Sequence, residues 1–179
     1  MIKLTPFKEE NIDTLTSWVS NAEEVMLWAG PAYKIETLKQ NIFDNLNYSE
    51  KHPDYMRMFS AINSKTNEII GHVQIALDKP NETAGIARMI VAPEHRGKGY
   101  SKTIIHELLK YGFNDLNLNI FTLVVFDFNL AAIKCYERCG FVKEGILRDR
   151  RKVGNEYWSL IPMSMKKGEY IKEIEIGNY

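Results

Sequence analysis

The run Met89-Ile90-Val91-Ala92-Pro93-Glu94-His95-Arg96-Gly97-Lys98-Gly99-Tyr100-Ser101 constrains what this chain can fold into more than any other. Apolar, β-favouring residues lead to a proline, which a central strand does not accept. Two glycines one residue apart then open positive φ to the backbone. The helical stripe Ile104, Ile105, Leu108, Leu109, Phe113 and Leu116 follows, with the spacing of an amphipathic helix. Such a turn presents free main-chain N–H groups at a helix N-terminus, beside Arg96 and Lys98. Those are the parts that hold a pyrophosphate.

Spacing excludes the two commonest phosphate loops. A P-loop needs four residues between its first glycine and Gly-Lys-Ser/Thr, whereas Gly97 and Gly99 are separated only by Lys98. A dinucleotide fingerprint starting at Gly97 needs glycine where Lys102 stands.

The rest of the pattern is mixed. Residues 2–7 read as a strand, Glu9 to Ser20 as a helix carrying Ile12, Leu15, Trp18 and Val19, and Ile35 to Leu46 as a second helix. Met56–Asn63, Glu68–Leu77 and Thr83–Val91 are strands joined by turn residues, including the cluster at 78–82. After the helix over Ser101 to Leu116, the almost wholly apolar Ile120–Phe126 reads as a strand covered on both faces. Asn129 opens a helix that Gly140 stops. Phe141–Glu144 with Leu147–Arg151, and Tyr157–Met165, form the last two strands, turning at Gly154-Asn155; the tail after Lys166 is expected to fray in part. Strands that both precede and follow helices predict a mixed α/β sheet, with a parallel crossover between residues 83 and 126.

At 179 residues the chain suits one domain, 1–179. Lys+Arg and Asp+Glu both count 23, so nothing in the charge points to nucleic acid or an anionic membrane. The basic stretch Arg148-Asp149-Arg150-Arg151-Lys152 reads as the solvated face of a strand and its turn. Cys135 and Cys139 would need two further ligands to hold a metal, and His52, His72, His95 and His106 are scattered. Buried thiols in a reducing compartment fit better, so no metal is expected. The N-terminus lacks a charged-then-apolar signal segment and no run has the length of a membrane span, which makes the cytoplasm the expected location.

From Arg96 to Ser101 the sequence resembles the Q/R-x-x-G-x-G/A loop of the GNAT acetyltransferases. The resemblance takes in the Val-x-Pro strand exit, the segment from Asn129 through Tyr136 to Gly140-Phe141, and Glu144-Gly145-x-Leu147-Arg148. It covers about residues 68–170, with a looser likeness over 1–67, and the arrangement is similar to the subgroup containing ribosomal-protein N-terminal and spermidine acetyltransferases. It implies a mostly antiparallel sheet of about six to seven strands with a splayed parallel pair, flanked by about four helices. The pantetheine arm of acetyl-CoA would enter the V of that pair.

The resemblance also implies roles. Amides of Gly97, Lys98, Gly99, Tyr100, Ser101 and Lys102 would wrap the cofactor pyrophosphate, with charge from Arg96 and Lys98. A bulge in the strand ending Met89, Ile90 and Val91 would free a main-chain N–H to polarise the thioester carbonyl. Asn129 would hydrogen-bond the pantetheine arm, and Tyr136, seven residues on and within about 20° of the same helix face, would protonate the departing sulfur.

The base is unassigned. Several relatives use a glutamate five residues before the Asn, where Val124 stands here, which leaves Glu24, Asp54, His72, Asp127 or ordered water. Glu23 and Glu24 either greet a cationic amine or form a solvated helix end, and Trp28 and Trp158 either line an acceptor pocket or pack in the core. The function so implied is direct acetyl transfer to a primary amine of a small molecule, polyamine or protein N-terminus. A non-catalytic acyl-CoA sensor is the competing expectation, and exposed strand edges near the C-terminus leave a homodimer open.

Overall fold

The computed structural model describes residues 1–177. Eight strands form one sheet: β1 (Ile2–Pro6), β2 (Met56–Asn63), β3 (Ile69–Asp78), β4 (Thr83–Val91), β5 (Ile120–Phe126), β6 (Val142–Lys143), β7 (Leu147–Val153) and β8 (Glu156–Lys166). Their order is β1-β2-β3-β4-β5-β8-β6, with β7 also on β8. Every pairing is antiparallel except β4 with β5. One strand more than the pattern suggests appears because the stretch from Phe141 to Arg151 breaks in two. Gly145 takes φ 154 there, and the Ser164 hydroxyl donates to the Glu144 carboxylate, so the edge leaves β8 and rejoins it one step on.

The helices are α1 (Ile12–Thr16), α2 (Ala22–Ala29), α3 (Leu38–Lys51), α4 (Tyr100–Lys110), α5 (Leu130–Arg138) and α6 (Lys167–Glu175). The expected Glu9–Ser20 helix is cut to α1 and a short 3-10 turn before it. The tail after Lys166, expected to fray, forms α6, whose Tyr170 is buried against Phe113 at 5.0 Å between ring centroids. Asn178 and Tyr179 lie outside the described residues.

The sheet separates two cores. On one face α4 buries Ile104, Ile105, Leu108 and Leu109 against Ile70, Val73, Ile75 and Phe121, all without solvent exposure. On the other, Leu15, Val25, Ile42 and Leu46 of α1 to α3 pack on Phe7, Met58 and Ile90. Central strand β3 meets both cores, which accounts for its almost continuous burial. Helix α4 ends in a π-helical turn, Tyr111–Asp115, where Gly112 presses on the Phe121 ring too closely for any side chain.

Candidate active site

The parallel pairing of β4 with β5 lasts three residues, Thr83 to Gly85 against Ile120 to Thr122. Beyond that point β4 stays with β3 and β5 with β8, so the two strands diverge into a V. A cleft of about 460 Å³ fills it. Met89, Leu123 to Phe126, Asn129, Ala132 and Tyr136 line one part; Met26 to Pro31 of the α2 end, Arg88 and Arg151 line the other. The cleft therefore joins the face carrying α4 and α5 to the face carrying α1 to α3.

The β4 arm of the V carries a bulge. Gln74 pairs with Ala87 and His72 with Ile90, so Arg88 and Met89 together oppose Val73. Arg88 takes φ 49, an unusual conformation for a non-glycine residue. Its carbonyl turns out of the ladder and accepts the Trp28 indole N–H at 2.8 Å. Its guanidinium lies 4.3 Å from the Tyr33 ring centre and donates to Gln74 Oε1 at 2.8 Å. This is the bulge expected on the strand ending at Val91, displaced toward its middle.

At the mouth of α4, Gly97 and Gly99 take φ 73 and 82. A Cβ at either would meet nothing within 4 Å, so the glycines are there for backbone conformation and leave open space above them. Among the described residues, the amides of Gly97, Lys98, Gly99, Tyr100 and Ser101 donate to no protein group. Lys98 projects into solvent beside them. Arg96 is exposed as well, but its Nε donates to the Val91 carbonyl at 3.0 Å and a terminal nitrogen to the Trp18 carbonyl at 3.4 Å. Its guanidinium ties the turn to the end of β4 and to the segment that follows α1. His95 braces the same turn, 2.9 Å from Glu68 Oε1 and edge-on to Tyr100. Glu94 joins this pair, all three ligand-type atoms lying within 4.8 Å, a grouping the sequence spacing hides.

Asn129 caps α5, accepting from the Ala132 amide at 3.2 Å, and also faces the cleft. Tyr136 lines the cleft edge-on to Phe141. Burial, then the neighbouring Cys135 and Cys139 thiols, push its phenol well above the usual tyrosine range. It stays protonated at any ordinary pH. Cys135 is brought down to about 7, mainly by its hydrogen bond with Cys139, and that same bond, then burial, raises Cys139. No third metal-ligand side chain joins the two thiols among the described residues.

The conceivable bases do not reach the cleft. Glu24 accepts from the Ser20 amide at 2.6 Å at the start of α2, so it ties down a helix end. Asp54 pairs with Lys79, and His72 is buried against Phe7. Neither they nor Asp127 line the walls. Trp28 does, whereas Trp158 packs on Phe126 and Phe128. Arg151, expected on a solvated face, and Arg88, which no sequence feature marks, both line the cleft. The break in strand alternation at Asp149, which takes φ 50, turns Arg151 inward, and no local signal announces it.

Residues 18–141 match the acetyltransferase (GNAT) family, and the chain belongs to it. A spermidine N(1)-acetyltransferase of Vibrio cholerae is 32% identical over 124 residues, 69% of this chain and 71% of that one. The Escherichia coli K12 spermidine N(1)-acetyltransferase is 25% identical over 172 residues, covering 96% and 89%. The crystal structure of the Vibrio cholerae spermidine N-acetyltransferase with CoA and spermine superposes with a TM-score of 0.83 at 25% identity, over 95% of this chain and 98% of that one. The chain is an acetyl-CoA-dependent N-acetyltransferase, with the mixed sheet and splayed parallel pair of that family. No helix among the described residues is long and apolar enough to cross a membrane.

Proposed function

We propose that acetyl-CoA enters the V from the α4 and α5 face, and that a small-molecule primary amine meets it from the α2 face. The observation that carries this reading is the row of unpartnered amides from Gly97 to Ser101, at the open turn where β4 leads into α4. These amides, with Lys98 and Lys102, hold the pyrophosphate. Asn129 steadies the pantetheine arm with the part of its amide not used in capping. The main chain at Met89, freed from the ladder by the bulge, polarises the thioester carbonyl.

The amine lone pair attacks that carbonyl carbon and forms the C–N bond. As the tetrahedral intermediate collapses, the C–S bond breaks with its electron pair on sulfur, and Tyr136 supplies the proton. No carboxylate or imidazole faces the cleft among its lining residues, so water accepts the proton the amine loses. Relatives named for spermidine acetylation, and a solved neighbour in complex with CoA and spermine, support a small amine as the acceptor here. Two thiols one helical turn apart and not joined in a disulfide suit a reducing compartment, and the cytoplasm is the location we infer.

A thiol-release assay across polyamines, amino acids, aminoglycosides and N-terminal peptides tests the activity. Tyr136→Phe should lower kcat by about a hundredfold while acetyl-CoA affinity, read by calorimetry, changes little. An acyl-CoA sensor would instead bind cofactor and release no thiol with any amine, and its response would not depend on the phenol.

A further inference from the structure

The acceptor side of the cleft has an electrostatic character of its own. Its described lining residues include two arginines, Arg88 and Arg151, and neither an aspartate nor a glutamate. Arg151 is half-buried while Arg148, Arg150 and Lys152 beside it are exposed, and its side chain makes no hydrogen bond or ion pair among the described residues. The carboxylate two residues before its strand partner Trp158 is Glu156, which accepts the Trp158 indole N–H at 3.2 Å. Arg88 faces an aromatic ring and a neutral amide, and its Nε is buried without a partner. Trp28, Met26, Leu27, Phe126 and Leu160 supply apolar walls.

Two guanidinium groups without counter-ions, in a partly desolvated cleft, make a field that repels a polycation and attracts an anion. The planar guanidinium fork suits a carboxylate or phosphate in two-point contact. The same 460 Å³ must also admit the end of the pantetheine arm, so the acceptor is small.

We propose that the acceptor of this enzyme carries an oxyanion, a carboxylate or phosphate, near its reacting amine, and that Arg151 receives it. The inference rests on the acetyl-transfer reading above. It sets this chain apart from its spermidine-acetylating relatives in acceptor class while leaving the cofactor side the same.

The test uses the full chain with acetyl-CoA and amines in pairs that differ in one charge: methionine against methioninamide, glucosamine 6-phosphate against glucosamine, with spermidine alongside. The oxyanion-bearing member of at least one pair should have a kcat/KM about tenfold above its neutral partner, and above spermidine. Which pair responds tells carboxylate from phosphate. Arg151→Gln should collapse that ratio toward one, Arg151→Lys should keep part of it, and the KM for acetyl-CoA should not follow. Spermidine or a neutral amine preferred by the unaltered enzyme, or a charge ratio indifferent to Arg151→Gln, would overturn the inference and leave acetyl transfer standing. If no amine releases thiol, transfer itself fails as a reading. Calorimetry of methionine and glucosamine 6-phosphate on the CoA-loaded protein then decides the anion site: binding lost in Arg151→Gln supports it, and equal or absent binding in both proteins rejects it.

Discussion

The indole N–H of Trp28 donates to the main-chain carbonyl of Arg88 at 2.8 Å, across 60 residues of sequence. This bond fastens the end of α2 to the bulge in β4, and so fixes the outer wall of the cleft against its inner one. The carbonyl it satisfies is the one the bulge has taken out of the ladder. Trp28→Phe keeps most of the ring and removes the donor. It should cost about 1.5 kcal/mol, lowering Tm by about 3–6 °C in a thermal melt, and should raise the acceptor KM more than that of acetyl-CoA.

His72 gives the fold a pH dependence. It is 1% exposed, and burial, followed by the Arg88 guanidinium, depresses its pKa from 6.5 to about 3. The unfolded chain therefore binds a proton between pH 6.5 and 3 that the folded chain refuses. Stability is fully present above 6.5 and falls as pH drops, at a limiting rate of about 1.4 kcal/mol per pH unit. Denaturant titrations between pH 7 and 4 should show this slope, and His72→Leu should flatten it.

Gly99 stands at φ 82 as the N-cap of α4, with open space where a side chain would go. Alanine there costs about 1–2 kcal/mol of backbone strain and also places a methyl where we propose that the pyrophosphate approaches. Gly99→Ala should leave a folded protein with Tm lowered by a few degrees. Its acetyl-CoA dissociation constant, from calorimetry, should rise about tenfold or more.

Val124 lines the cleft and is 55% exposed, so a glutamate fits there without displacing the core. In the unaltered enzyme kcat/KM should climb with pH as the amine deprotonates. No descending limb from Tyr136 should appear below about pH 10, because its raised pKa holds the proton beyond the usual tyrosine range. Val124→Glu supplies a base and should move the ascending limb to lower pH by about one unit. An unchanged pH profile would show that water carries the proton equally well in both proteins.

Much of this molecule was legible before any coordinates. The strands at Met56–Asn63, Thr83–Val91 and Ile120–Phe126 lie where alternation and apolar runs predict them. The Gly97 and Gly99 turn has the positive φ its glycines announce. Local chemistry decides these features: which residue tolerates positive φ, which stretch must bury a face, where a proline ends a ladder. Contacts between distant segments are not announced in this way. Arg96, expected to bring charge to the turn, also holds the Val91 and Trp18 carbonyls. Glu24, expected either to greet an amine or to form a helix end, ties down the start of α2.

The sequence by itself determined a mixed α/β chain with an open glycine turn at a helix N-terminus, and a tyrosine and an asparagine on one helix face. Those follow from spacing within a few residues, where the backbone leaves little choice. The tertiary structure alone decided where charge stands around the cleft: the bulge that turns the Arg88 carbonyl to Trp28, the kink at Asp149 that points Arg151 inward, and the absence of acidic side chains from the lining. Each depends on strand register and on contacts between segments far apart in sequence, and the electrostatics of a desolvated site are summed over such neighbours.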